Sequence, residues 1–193
     1  MPWQPLLHDI RALKLDLARL DPRAGMPVAP PSGADPRALE AVERRLGRSL
    51  PPSYRALLVE HDGVPQLYQG ASLLGVRPLL RGTYVDLARM VIDAPGGTPD
   101  ADLVPFGIDP RGEVIFAWDR SRSGDDGELE VVLWMNEIGA RVPSFPAFLE
   151  MVRDMIASEI EERLAAGFAP RSSRRVPVRS DRPLAAPLRV AAA

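Results

Sequence analysis

The sequence predicts an α+β domain, a mixed and largely antiparallel sheet with helices packed on it. Two observations carry that expectation. Apolar residues recur at helical spacing in the first sixty positions and again from about residue 145. Between these stretches lie short apolar runs divided by turn residues, the pattern of strands. A chain of 193 residues has room for one ordinary domain with extensions.

The first segment, 4–21, places Leu6, Ile10, Leu13, Leu17 and Leu20 on one stripe of a helix, and Asp21-Pro22 ends it. That stripe either packs on the chain's own body or docks a partner. Residues 22–34 are rich in proline and glycine and read as a semi-extended linker. Asp35-Pro36 then starts a helix, because Asp accepts from orphan amides and proline suits the first helical position. Leu39, Val42 and Leu46 form its inner face and Gly47 its end. After Leu50-Pro51-Pro52 a second short helix turns Tyr54, Leu57 and Leu58 inward and stops at His61-Asp62-Gly63.

Strands are expected at Leu73–Val76, Leu103–Phe106, Val114–Trp118 and Val131–Trp134. Pro105 marks its strand as an edge or a bulge. A helix over 84–94 interrupts the sheet, and 119–129 reads as a hairpin loop rich in aspartate and glycine. A closing helix runs from Ser144-Phe145-Pro146 to about Ala166, with Phe148, Leu149, Val152, Ile156, Ile160 and Leu164 at helical spacing. The organisation is then 1–33 as a helical extension with its linker, 34–167 as the domain, and 168–193 as an Arg/Pro-rich tail expected to be disordered.

Composition removes much chemistry. The chain has no cysteine, hence no disulfide, thiolate metal site or cysteine nucleophile, and it has only two histidines, His8 and His61. No run approaches the about 18 apolar residues of a membrane span, and the start lacks the order of a secretory signal. A cytoplasmic protein is the expectation. The net charge of −2 is unevenly spread: residues 83–130 hold 4 arginines and 11 acids, whereas 171–193 hold 6 arginines and one aspartate. Lys14 is the sole lysine, and a dispersed arginine complement argues poorly for nucleic-acid binding by the body of the chain. The tail's charge leaves three options open: a solubilising segment, contact with an acidic partner or nucleic acid, or a fold back onto the acidic centre.

In order and spacing, DPRALEAVERRLGRSLPPSYRALLVEHDG, LVPFGIDPRGEVIFAWD and SFPAFLEMV resemble the Smi/Knr-type domain of the SUKH superfamily, over roughly 34–153. Asp62-Gly63 stands where that family usually has Asn-Gly, a change that a helix-ending turn tolerates. The matched residues also have plain structural work to do: a bend at Leu50-Pro51, core aromatics at Tyr54 and Trp118, turns at Gly107 and Gly112. The resemblance implies a non-catalytic protein-binding domain, in bacteria an immunity protein that neutralises a cognate toxin, often a nuclease. A structural or regulatory adaptor subunit, using the N-terminal helix and the tail, is the alternative.

An inhibitor of a nucleic-acid-cleaving enzyme competes for a basic cleft, which clustered carboxylates do by long-range attraction and charge-assisted contacts. The acidic centre (Asp86, Asp93, Asp100, Asp102, Asp119, Asp125, Asp126, Glu128 and Glu130) supplies the candidates, and the partner site is expected at Asp119, Asp125, Asp126, Glu128 and Glu130. The plain alternative is a solvated loop face. No cofactor or metal is expected: the spacing of Asp119, Asp125, Asp126 and Glu128 fails the alternating ligand order of a calcium loop. His61-Asp62 with Ser53 lacks any nucleophile elbow, and no glycine pair leads into a phosphate-binding Lys or Ser/Thr, so no catalytic residue is assigned.

Overall fold

Caps and prolines fix where the helices begin and end in the computed structural model, which describes residues 3–93, 102–135 and 137–167. Helix α1 spans Trp3–Leu20, and a 3-10 turn at Pro22–Ala24 follows it. Helix α2 spans Pro36–Leu46; the Asp35 carboxylate accepts from the Arg37 amide at 2.7 Å, and Gly47 ends the helix at φ 70°, a conformation that a side chain would strain. Helix α3 spans Pro52–Glu60, and His61 follows as its C-terminal cap with its amide on Leu57 O. The Pro-rich linker is pinned to α3: the Ala34 amide donates to Leu58 O at 2.8 Å, and the Asp62 amide to Ser32 O at 3.2 Å.

Strands β1 (Val64–Tyr68) and β2 (Ala71–Leu73) precede helices α4 (Val76–Arg81) and α5 (Thr83–Ile92). Strands β3 (Leu103–Ile108), β4 (Ile115–Ser123), β5 (Leu129–Trp134) and β6 (Ile138–Val142) then lead into helix α6 (Phe145–Ala165). The six strands form one sheet in chain order, and every neighbouring pair is antiparallel. The expected α+β fold with a largely antiparallel sheet is found, the sheet being an antiparallel meander throughout, with α4 and α5 carried in the connection from β2 to β3.

Several local expectations shift for physical reasons. Leu73–Val76 does not continue as a strand, because the Asp62 carboxylate accepts the Val76 amide and α4 begins there. Pro105 sits in a central strand, not an edge; the register between Pro105 and Gly107 shifts, so it is the bulge that accommodates the missing amide. Gly107 lies within β3 instead of in a turn: a Cβ there would come 2.4 Å from the Phe116 ring. Strand β4 runs on to Ser123 through residues expected to be loop, bulging between Asp119 and Ser123. The tail 168–193 and the end of the 84–94 helix lie outside the described residues.

The core forms where α3 and α6 cover the sheet. Tyr54 from α3 meets Phe106, Trp118 and Phe145 edge-on, with ring centroids 5.1, 4.9 and 5.2 Å away. Phe106 stacks on Trp118 at 4.3 Å, and Phe148 closes on Phe116 at 4.8 Å. The buried Tyr54 hydroxyl donates to Leu74 O at 2.6 Å. Helix α1 lays Leu6, Leu7, Ile10 and Leu17 into the same core and packs along α6, while Trp3 sits edge-on to His61 at 6.3 Å. The apolar stripe read from the sequence thus faces the chain's own body. No helix among the described residues is long and apolar enough to cross a membrane.

Replacing Tyr54 by Phe keeps the ring contacts and strips the buried Leu74 carbonyl of its donor. Urea unfolding should show a loss of about 1–2 kcal/mol with an unchanged denaturant slope. A loss under about 0.3 kcal/mol would mean the hydroxyl contributes little net stability beyond its desolvation.

Candidate partner-binding surface

The acidic residues singled out by the sequence converge on the β4–β5 hairpin, where the structure divides them into two kinds. Asp119 and Glu130 are directly paired across the two strands, an unfavourable juxtaposition of like charges. Arg141 from β6 resolves it, with one guanidinium nitrogen 2.6 Å from Asp119 and 2.7 Å from Glu130. Arg122 adds a longer contact to each, at 3.8 and 3.5 Å. Two carboxylates are thereby set against two guanidinia, and little net charge reaches solvent.

Asp119 is 2% exposed, and it also accepts from the Ser121 amide at 3.0 Å and the Ser121 hydroxyl at 2.6 Å. This local turn within β4 produces the bulge. Burial pushes the Asp119 carboxyl up, but the Ser121 and Arg141 hydrogen bonds outweigh it and hold the group below the usual aspartate value.

Glu128 is buried and faces inward as well. Its Oε1 accepts the Ser53 amide at 2.7 Å, in the first turn of α3. That helix begins on Pro51, which makes no side-chain cap, so a carboxylate from the distant hairpin supplies the missing acceptor and meets the positive end of the helix dipole. The hairpin is thus clamped to α3. Asp119, Glu128 and Glu130, expected as partner contacts, spend their charge inside the protein.

Asp125 and Asp126 are different. Both are exposed at the hairpin tip. Asp126 accepts the Glu128 amide at 3.0 Å, which shapes the turn, and Asp125 makes no side-chain hydrogen bond or ion pair among the described residues. Asp86 and Asp102 are also exposed, on α5 and just before β3, while Asp100 lies outside the described residues. Asp93, after α5, is exposed too, so the accessible negative charge of the centre lacks Asp119, Glu128 and Glu130. Among the described residues no group of three His, Cys, Asp or Glu side chains could hold a metal ion.

Sequence reasoning passed over a second exposed feature. On α5, Tyr84, Leu87 and Met90 are 47%, 36% and 72% exposed, while Ala88 and Ile92 face the core. Their spacing of three residues was the available signal, hidden by apolar residues all round the helix. Asp109, also passed over, is buried and structural: it accepts the Arg111 and Val114 amides at 2.9 and 2.8 Å and fixes the β3–β4 turn.

The model of the SMI1 / KNR4 family (SUKH-1) matches residues 33–152, and the chain belongs to that family. Its domains occur in toxin immunity proteins, typically bind protein partners and are generally non-catalytic. A search of curated proteins gives no match.

The Asp119 cluster predicts a specific acid response. The folded carboxyl titrates below the unfolded value of about 3.9, so its stabilisation is complete above that pH and disappears as pH falls through the folded value. Asp119→Asn should cost about 2 kcal/mol at neutral pH, the scale of a charge-assisted hydrogen bond. Its melting temperature should also fall less steeply than that of the parent protein on acidification below about pH 4. Parallel melting curves for the two proteins would contradict the assignment.

Proposed function

We propose that this protein is an immunity-type binding protein that neutralises a cognate toxin, a nuclease being the toxin class its chemistry suits best. The carrying observation is the hairpin tip: Asp125 and Asp126 are exposed on a turn that Glu128 fastens to α3. Rigidly presented carboxylates lose little freedom on binding and attract a basic cleft from a distance. Family membership supplies the second support, since these domains occur in toxin immunity proteins and typically bind protein partners. Inhibition on this reading is steric occlusion of the cleft, with no bond made or broken. Asp119, Glu128 and Glu130 then act from behind, holding the tip in place rather than touching the toxin.

The adaptor alternative depends on the N-terminal helix carrying the affinity. The apolar stripe of α1 is already spent on α6 and the core, which leaves that helix mainly its charged face to offer.

The test uses the product of the adjacent reading frame as the candidate toxin, with growth protection and binding kinetics as readouts. Charge reversal at both tip residues, Asp125→Lys with Asp126→Lys, should lower the association rate about tenfold or more at low salt and flatten its salt dependence. An unchanged rate, with Tyr84→Ala abolishing binding instead, would move the site from the hairpin to α5. Failure of the parent protein both to bind that product and to protect against it would reject the immunity reading for this pair.

A further inference from the structure

Helix α6 buries Phe148, Leu149, Val152 and Ile156 and leaves another face uncovered. Along it lies a groove of about 1060 Å³, reaching from Ala147 to Ala166 and flanked by Tyr68 and Gln69 of the β1–β2 hairpin. Met151 and Met155, both half-buried, give it an apolar floor, and Glu150, Asp154 and Glu162 are exposed carboxylates along it, Asp154 being paired with Arg153 at 2.8 Å. The Arg163 guanidinium also lines the groove but is committed to Asp21 and to Glu159, the latter at 2.7 Å. Glu150 and Glu162 have no ion pair or side-chain hydrogen bond among the described residues. The groove is therefore acidic with an adaptable methionine floor, suited to a basic segment that also brings small apolar side chains.

We propose that the arginine-rich segment 168–193 of this same chain occupies the groove. Charge is the first argument: residues 171–193 hold six arginines and one aspartate. Position is the second, because the segment begins where the groove ends. Gly167 closes α6 with its amide on Leu164 O at 3.0 Å, and the chain leaves from there.

Length is the third argument. From Ala166 back to Glu150 the helix covers about 24 Å, a distance that an extended proline-containing chain spans in about eight residues. Arg171, Arg174 and Arg175 fall within that reach, and Val176-Pro177-Val178 follow. Exposed ion pairs are individually weak, but a tether this short holds the segment at an effective concentration of about millimolar. Within the acidic centre Asp119 and Glu130 are taken by Arg141 and Arg122, and Glu128 by the α3 amide. The competitors there are the exposed Asp86, Asp93, Asp102, Asp125 and Asp126, none of which adjoins the start of the segment at the end of α6.

The absence of cysteine makes the test clean. In the full chain, a nitroxide on Ser173→Cys should erase most of the methyl NMR intensity of Met151 and Met155 at low salt, while Met90 on α5 keeps its own. The intensity should return at about 0.5 M salt, where screening acts within about 4 Å, and in the Glu150→Arg/Glu162→Arg double variant. Broadening of Met151 and Met155 no greater than that of Met90, or broadening indifferent to the charge reversal, would overturn the proposal. So would its transfer to an isotope-labelled, nitroxide-free chain in a mixture, which would place the segment on a second copy.

Discussion

Tyr54 is the point on which the architecture turns. Its ring touches aromatics from β3, β4 and α6, and its hydroxyl reaches the chain segment between β2 and α4. A tyrosine can do this because only one end of it is polar: the body fills an apolar core while the tip needs a single partner. Leucine would fill less of the space, and phenylalanine would leave the Leu74 carbonyl short of a donor. The Leu50-Pro51 step acquires its purpose here. By ending the extended stretch after α2 and starting α3 on proline, it fixes the helix turn from which Tyr54 enters the core.

Once α3 is fixed, the acidic hairpin is fixed with it. Pro51 cannot cap the helix, so Glu128 does, and the strand that begins just after Glu128 carries Glu130 opposite Asp119. Two carboxylates brought face to face by strand register would repel each other; the arginine of β6 is what makes the pairing tolerable. Electrostatics in this region chiefly solves problems that the backbone creates. Once those demands are met, the carboxylates left exposed on the hairpin are those of Asp125 and Asp126.

Helices were legible in the sequence because each of their signals is local. Asp35-Pro36, Gly47 and Ser144 announce boundaries within a few residues of where they act, and the stripes of α1 and α6 survive in the folded chain. Strands β1 and β6 and the short helix α4 were not legible. Strand β1 contains Pro65 and bends at Gln66 with φ 50°, which erases alternation, and β6 is half-exposed at four of its five residues and exposed at the fifth. Strand β2 has three residues, and α4 is triggered by the Asp62 carboxylate fourteen positions upstream. At the site the difficulty is sharper. Asp119 and Asp125 are the same residue type, six positions apart; one is buried beneath Arg141 and the other stands in solvent. Register decides which is which, and register is a property of three strands together.

The family match ends at Val152, inside α6, and the rest of that helix packs with α1. Beyond Val152, Ile156 is buried with the α1 stripe in one core, and Arg163 ties α6 back to Asp21 just after α1. The backbone amide of Arg23 and the Arg163 guanidinium both hold the Asp21 carboxyl below its ordinary value, although partial burial opposes them. Helix α1 and the second half of α6 therefore pack as one unit, each supplying a face that the other buries. A lengthened α6 without α1 would expose Ile156 to water. An α1 without the longer α6 would lose its ion pair and much of its packing surface. The two segments lie far apart in the chain, yet each covers apolar surface that the other would otherwise leave to water.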